Sequence, residues 1–341
     1  MKYLVVGPAW IGDMVMAHSL LRRLKQDDPD AVIDVLAPTF SLPVVKRMAE
    51  VNQALDLPFK HGEFAFGARR QLGKQIKANG YDKAIVLPRS FKTAVTPFFA
   101  GVPKRVGYGG ELRNWMLTDV RKRKPREVDG KITDQTVTRF IALGLDAETA
   151  AKPIEVLNPV LAVDAGNRDA VLAKLGLTLD KPVVCICPGA EYGPAKQWPL
   201  EQHQQLAEQL VDNGHQVWVI GSPKESAAGD VIAASGHADI HNLCGRTQLV
   251  DAIDLFSCAH SVVSHDSGLM HVAAATGVKT IGIYGSSSPE FTPPLSDNAV
   301  VVTQPIDCAP CFKRECPFGH YKCLTEISVQ QVMTAIEGHC Q

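Results

Sequence analysis

Several features that would settle a protein's class at once are missing from this chain. No run of about 20 apolar residues occurs in the 341 residues, so no segment is long enough to cross a bilayer as a helix. The opening stretch MKYLVVGPAWIGD carries one Lys and a short apolar run, and Asp13 breaks its continuation. That is too little for an export-signal core. With no export expected, the nine cysteines are expected to be reduced thiols in the cytoplasm. Low-complexity tracts and a short fixed repeat are also missing. Net charge is nearly absent, with 35 Lys and Arg against 36 Asp and Glu, which argues against a bulk nucleic-acid binder. The chain does contain 45% apolar residues, enough to build a large core and too much for disorder. The length suggests about two domains.

The near-zero charge conceals a division. Residues 1–160 hold 25 basic and 17 acidic side chains, a net of +8, and residues 161–341 hold 10 and 19, a net of −9. Two domains with different partners are expected, the first meeting something anionic. Segregated surface charge is the alternative. The basic clusters of the first half are Arg69-Arg70, Arg89 to Lys92 and Arg121 to Lys124.

Strand-like and helix-like segments alternate along the whole chain. Tyr3–Val6 reads as a buried strand, and Met14, Ala17, Leu20, Leu21 and Leu24 recur at helical spacing. Residues 31–36 and 84–87 are further strand candidates. Helical patterns begin at Leu42 and cover residues 67–79 and 131–143. A linker is expected at 158–167, after which the pattern restarts. Strands are expected at 182–190, 215–221, 261–264 and 280–284. One helix should run from Pro199 to about residue 213, and a capped amphipathic helix should follow Ser328. Alternation of this kind predicts parallel α/β sheets in two halves, 1–160 and 161–341, with a cleft between them.

The chemistry is concentrated in the turns after strands, where doubly wound folds bind ligands. Gly7–Asp13 has no G-x-G-x-x-G. Its G-x-x-x-x-G spacing leads into Asp13 and Met14, where a phosphate loop needs Lys and Ser or Thr. Asp13 is either an N-cap or first-turn acid favoured by the helix dipole, or a general base facing a cleft. In PGAEYGPAKQWP, Lys196 comes after a backbone-exposing turn suited to a diphosphate. Glu225, in GSPKES, could accept from ribose hydroxyls or satisfy a helix N-terminus. In SHDSGLMHVAAATG, Ser267 and Gly268 open a helix whose free N–H groups suit a phosphate. Asp266 there is either the N-cap or a binder of sugar hydroxyls, and His271 lies one turn further on.

With these motifs in place, the chain resembles the bacterial heptosyltransferases of lipopolysaccharide inner-core synthesis, over essentially its whole length. The resemblance rests on GPAWIGDMVM, PGAEYGPAKQWP, IGSPKES, SHDSGLMHVAAATG and the tail CAPCFKRECPFGHYKCL. It implies an inverting, metal-independent GT-B glycosyltransferase with two Rossmann-like domains and ADP-heptose as donor. The tail is most similar to the branch that adds the second heptose. The implied acceptor is therefore lipid A–Kdo–heptose at the inner face of the cytoplasmic membrane, where the enzyme would be peripheral. Asp13 would be the base and Lys196 would hold the diphosphate. Glu225 would bind the ribose and Asp266 the heptose hydroxyls. The backbone of Ser267, Gly268 and Leu269 would cradle phosphate, and His271 would lie beside the donor sugar. Gly12 would belong to an acceptor-contacting loop. Pro8-Ala9-Trp10 departs from relatives that carry a Ser there, which touches the contacts of this loop and not Asp13.

Other readings fit less well. Addition of the first heptose, to Kdo, is the alternative within the family, and another GT-B nucleotide-sugar transferase is a wider one. An NAD-dependent oxidoreductase would need the missing glycine fingerprint. Cys308, Cys311, Cys316 and Cys323, with His320 nearby, have a spacing that would also suit a structural zinc. A nucleic-acid module built on that tail is disfavoured by its acidic domain. In this reading the basic half receives an acidic acceptor at a membrane and the acidic half binds ADP-heptose.

Overall fold

A computed structural model describes residues 1–59, 62–125, 127–128, 131–132 and 134–338. The chain divides into two compact units, Met1–Pro159 and Val160–Gln341. Unit 1 holds strands β1 (Lys2–Val6), β2 (Val32–Pro38), β3 (Gln53–Leu57), β4 (Lys83–Val86), β5 (Lys104–Tyr108) and β6 (Asp119–Arg121). They form one parallel sheet in the order β3-β2-β1-β4-β5-β6, with Tyr3 of β1 registered on Ile33 and Lys83. The central strands are continuous apolar runs because helices cover both faces of the sheet, so no side chain can point to water. A short antiparallel pair, β7 (Glu127–Val128) with β8 (Lys131–Ile132), lies outside this sheet.

Unit 2 repeats the plan. Strands β9 (Val183–Cys187), β10 (Gln216–Val219), β11 (Ile240–Asn242), β12 (Ser261–His265), β13 (Lys279–Tyr284) and β14 (Ala299–Thr303) are parallel, in the order β11-β10-β9-β12-β13-β14. Renumbered within each unit, both orders are 3-2-1-4-5-6, the doubly wound Rossmann order. Each sheet therefore has a switch point beside its first strand, between β1 and β4 and between β9 and β12. A crevice opens there at the carboxyl ends of the strands.

The core of unit 1 joins Leu4, Val6, Leu36, Val86, Ala94 and Met116. That of unit 2 joins Val184, Ile186, Trp198, Val219, Val263 and Ile281. The tail helix Val329–Glu337 is closed at its start by a reciprocal Ser328–Gln331 cap. It buries Val329, Val332, Met333 and Ile336 in that second core.

Three expectations about elements need correction. The helix at Leu42 is a single turn, Leu42–Val45, because tight turns at Met48 and Val51 hand the chain on to β3. The helix expected from residue 131 begins at Thr136, and β8 takes residues 131–132. The last residues of the expected linker, 165–167, are already helical, because the Asp164 carboxylate caps the helix Ala165–Leu175 by accepting from the Asn167 N–H.

Candidate functional site

In unit 1 the turn after β1 enters the helix Ile11–Asp27. Gly7 lets the Met14 side chain pack close to the turn, since a Cβ there would lie 2.5 Å from the Met14 methyl carbon and displace it. The N-cap is Trp10, so Asp13 is not the cap. It is the third residue of the helix, at the positive end of the macrodipole, and it lines a cavity of about 530 Å³. Gly12 belongs to that helix and is buried in it. The loop expected to carry it ends at Trp10, because helical hydrogen bonding already starts with Met14 N–H donating to the Trp10 carbonyl.

The rest of the cavity wall is strongly basic. Arg69, Arg89, Lys92, Arg123 and Arg139 line it, and Asp13 is the one carboxylate among its described lining residues. Arg123 bonds the buried Asp134 at 2.9 Å, and Arg139 lies 3.6 Å from the same carboxylate. Burial and the neighbouring Arg123 hold the Arg139 pKa below its usual value, while Asp134 and Asp13 pull it back up. The Pro88–Ser90 turn after β4 is clamped by Arg113, which is fully buried and donates to the Pro88, Ser90 and Tyr108 carbonyls and to Thr93 Oγ1. Burial pushes this guanidinium down to about 10.

In unit 2 the loop after β9, the turn after β10 and the helix after β12 meet at the second switch point. Lys196 Nζ donates to Asp266 Oδ2 at 2.5 Å, and Thr292 Oγ1 donates to the same carboxylate at 3.2 Å. His271 Nε2 stands 3.8 Å from Asp266 Oδ1. Burial alone would raise the Asp266 pKa. The hydrogen bonds and charges of His271 and Lys196 outweigh it and hold this carboxyl well below the usual range. Of the two readings of Asp266 the N-cap one does not hold: the N-cap of the helix Gly268–Ala275 is Ser267, and Asp266 is turned toward Lys196. No side chain caps this helix, so the first N–H groups, at Gly268 and Leu269, are left for an outside acceptor. An ammonium has three donors. Lys196 directs two at Asp266, at Oδ2 and the carbonyl, which leaves one for an anion.

Glu225 ends a short turn of helix and accepts from the Ser222 N–H at 2.7 Å, so the helix-terminus role is realised. Its carboxylate also reaches the β9 loop, where a Cβ on Gly189 would come within 3.1 Å of Oε1. The turns carrying Glu225 and Lys196 are thus neighbours. Behind them His265 accepts from the Trp198 N–H at 2.8 Å. Burial keeps this imidazole far below its usual pKa, and it serves as a neutral acceptor.

The Cys-rich segment has a clear mechanical role. Tyr192 donates to the Phe312 carbonyl at 2.8 Å and Ala195 N–H donates to the Arg314 carbonyl at 3.0 Å, so residues 312–314 support the loop that carries Lys196. Lys196 and Arg314 also sit over the Tyr192 ring at 5.0 and 5.2 Å. Cys308, Cys311, Cys316, Cys323 and His320 line a small cavity of about 20 Å³ beside Ala195. Among the described residues, however, no three His, Cys, Asp or Glu side chains are arranged to hold a metal ion. Backbone N–H groups of residues 318–321, Tyr321 foremost, lower the Cys316 thiol pKa, whereas burial raises Cys323 to about 11.

Gly193 shows how tight this support is. Its φ is +151°, and a Cβ would lie 2.5 Å from the Arg314 carbonyl oxygen. Gly193→Ala is expected to cost about 1–3 kcal/mol by overpacking. It should raise the KM for the ligand of this loop and leave that of the unit 1 ligand unchanged. Steady-state kinetics with each ligand varied in turn checks this.

Sequence reasoning missed Arg139, Arg113, Thr292 and Tyr192. Tyr192 lies inside the quoted turn PGAEYGPAKQWP but was passed over, and Arg113, Arg139 and Thr292 belong to none of the quoted motifs and reach the sites through tertiary packing. The unit 1 cations could have been suspected from the charge division.

Comparison with known proteins gives a consistent picture. The profile of glycosyltransferase family 9 (heptosyltransferase) matches residues 69–322. Lipopolysaccharide heptosyltransferase 2 of Escherichia coli strain K12 is 42% identical, with 99% of this chain and 98% of the relative covered. Lipooligosaccharide heptosyltransferase 2 of Haemophilus influenzae strain Rd is 41% identical, with 89% and 88% covered. The solved structure of the E. coli ADP-heptose lipopolysaccharide heptosyltransferase II superposes with a TM-score of 0.84 at 39% identity. It covers 98% of this chain and 97% of that one.

Proposed function

The chain belongs to glycosyltransferase family 9, the heptosyltransferases, and has their GT-B fold. From that premise we propose that it transfers heptose from ADP-heptose to the first heptose of a lipid A–Kdo–heptose acceptor. Unit 2 binds the donor and unit 1 the acceptor. One observation carries the donor assignment: Lys196 is fixed on Asp266 directly before an uncapped helix N-terminus. Cation and dipole together suit a leaving diphosphate. The acidic acceptor matches the arginine- and lysine-lined cavity of unit 1.

The reaction is a single displacement at the anomeric carbon. The acceptor hydroxyl is a poor nucleophile, and Asp13 takes its proton as the new C–O bond forms. The breaking C–O bond leaves its electron pair on ADP, where Lys196 and the N–H groups of Gly268 and Leu269 receive the charge. Asp266, Thr292 and His271 keep Lys196 in place, and the Asp266 carboxylate is the acceptor for donor-sugar hydroxyls. Glu225 is the corresponding acceptor for the ribose. Chain cations and helix dipoles take the part that a metal would otherwise fill at the diphosphate. The enzyme works on the cytoplasmic side, at the membrane that carries its acceptor.

Incubating the chain with ADP-heptose and a one-heptose Kdo–lipid A, with a chelator present, should add the mass of one heptose. Transfer only to the heptose-free acceptor would overturn the second-heptose assignment. The charge division makes a further prediction. Raised salt should increase the acceptor KM more than the donor KM, because five cations line the acceptor cavity while one lysine and backbone dipoles meet the donor. Equal sensitivity of the two constants would count against the basic cavity as the acceptor site.

A further inference from the structure

Unit 1 carries an aromatic feature that the proposed chemistry does not use. Six side chains form a closed ring of contacts: Phe64 to Phe66 (6.0 Å), Phe66 to Phe99 (5.9 Å), Phe99 to Phe98 (5.3 Å), Phe98 to Trp115 (5.1 Å), Trp115 to Phe91 (6.4 Å) and Phe91 back to Phe64 (5.9 Å). The chain has only 12 Phe and 4 Trp, so this concentration is not diffuse surface apolarity. One half of the ring, Phe91, Phe98 and Phe99, is partly buried against the unit 1 core, and the other half faces outward. Phe64, Phe66 and Trp115 are 53%, 38% and 60% exposed, and the neighbouring Leu112 is 89% exposed. A contiguous exposed apolar patch on a folded protein marks an interaction site.

We propose that this ring is a docking face for a bilayer rich in anionic phospholipid. Charge complementarity selects that occupant. Arg70 lies over the Phe99 ring and Arg105 over the Phe98 ring, 5.4 Å from each centroid; exposed Lys74 stands on the helix Phe66–Ile76 that carries Phe66, and exposed Lys104 precedes Arg105 on β5. Glu63 and Glu111 are the nearby acids, and Glu111 is engaged by the Phe91 N–H. Aromatic rings at headgroup depth with Arg and Lys reaching phosphates is the pattern of membrane interfaces.

The location also fits. Ser90 and Lys92, the chain neighbours of Phe91, line the basic cavity, and Arg69, another lining residue, donates to the Phe64 carbonyl at 2.9 Å. The docking face therefore adjoins the cavity mouth, and an acceptor rooted in the bilayer by its acyl chains would arrive from that side. This last step rests on the proposed function, whereas the docking itself does not.

The test uses the full chain with vesicles of phosphatidylcholine alone or mixed with phosphatidylglycerol, read by co-sedimentation. Brominated acyl chains in the same vesicles report ring depth through tryptophan quenching. The parent should bind the mixed vesicles, bind phosphatidylcholine weakly, and lose most of its quenching in Trp115→Phe. The double variant Phe64→Ser, Trp115→Ser should lose about tenfold or more of its vesicle partition. Its transfer rate to an acceptor stripped of acyl chains should stay at the parent level, which also shows that it folds. If the double variant fails that check, Phe64→Ser alone is read in its place.

Absence of parent binding to mixed vesicles overturns the proposal. So does unchanged partition of the variant. Activity on the stripped acceptor together with absent vesicle binding removes the docking face and leaves the enzymatic reading intact. A parent dimer that the double variant dissociates, without vesicle binding, assigns the ring to a second copy of this chain and overturns the proposal.

Discussion

Asp13→Asn is expected to lower kcat by ~10²–10⁴ while binding of the nucleotide sugar stays nearly intact. The exchange keeps shape and hydrogen-bonding reach but removes the ability to hold a proton. Asp13 is held by the first turn of the helix Ile11–Asp27, and the Asn side chain fits the same place. Folding should therefore be unaffected, and a thermal melt serves as the control. The donor assignment places ADP-heptose on unit 2, so its affinity should not follow the turnover. Donor titration by calorimetry and single-turnover transfer, measured on the same preparation, separate the two effects. Parent-level turnover in Asp13→Asn would show that another group takes the proton. Asp13 would then be only the acid that the helix dipole favours.

Replacing Lys196 should have two effects with different origins. Lys196→Met removes the cation from the leaving group, and loss of one preorganised donor lowers kcat by ~10²–10³. It also removes the 2.5 Å partner of Asp266, whose side chain is 4% exposed. A buried carboxylate that loses its partner is destabilising by about 3–5 kcal/mol. Thr292 and His271 remain beside Asp266, so the lower end of that range is expected. Adding Asp266→Asn removes the stranded charge. The double variant should therefore regain much of the lost stability and none of the turnover. Denaturant melts and transfer rates on the four-member cycle give the result. Recovery of both quantities together would mean that Lys196 only holds the fold.

These experiments treat Lys196 and Asp266 as a unit, which the sequence did not suggest. Read along the chain, they lie 70 residues apart, and each had its own ligand: phosphate for the lysine, sugar hydroxyls for the aspartate. The parallel pairing of β9 with β12 brings the loops after these strands to one crevice. Asp13 differs in this respect. Its place depends only on β1 and the next helix, so local pattern was enough to find it. Arg139 and Arg123 are the opposite case. They come to the Asp13 cavity from a distant helix and from the segment after β6, and no spacing rule connects them to residue 13.

The edges of the sheets were harder to read than the centres. β3 and β11 are short and partly polar, and no solid apolar run marks them, whereas β14, AVVVT, is a plain apolar run that was passed over. The central strands, buried on both faces, were plain.

The sequence alone determined the α/β alternation, the turns that carry chemistry, the division of charge and the resemblance to the heptosyltransferases. All of these are local or additive properties, readable from neighbours in the chain. Only the tertiary structure decided that Lys196 is tied to Asp266, that the Cys-rich segment supports the Lys196 loop, and that six scattered aromatic residues close into one ring with an exposed half. Such contacts join residues far apart in sequence. They are fixed by strand order and close packing, which no short window of residues encodes.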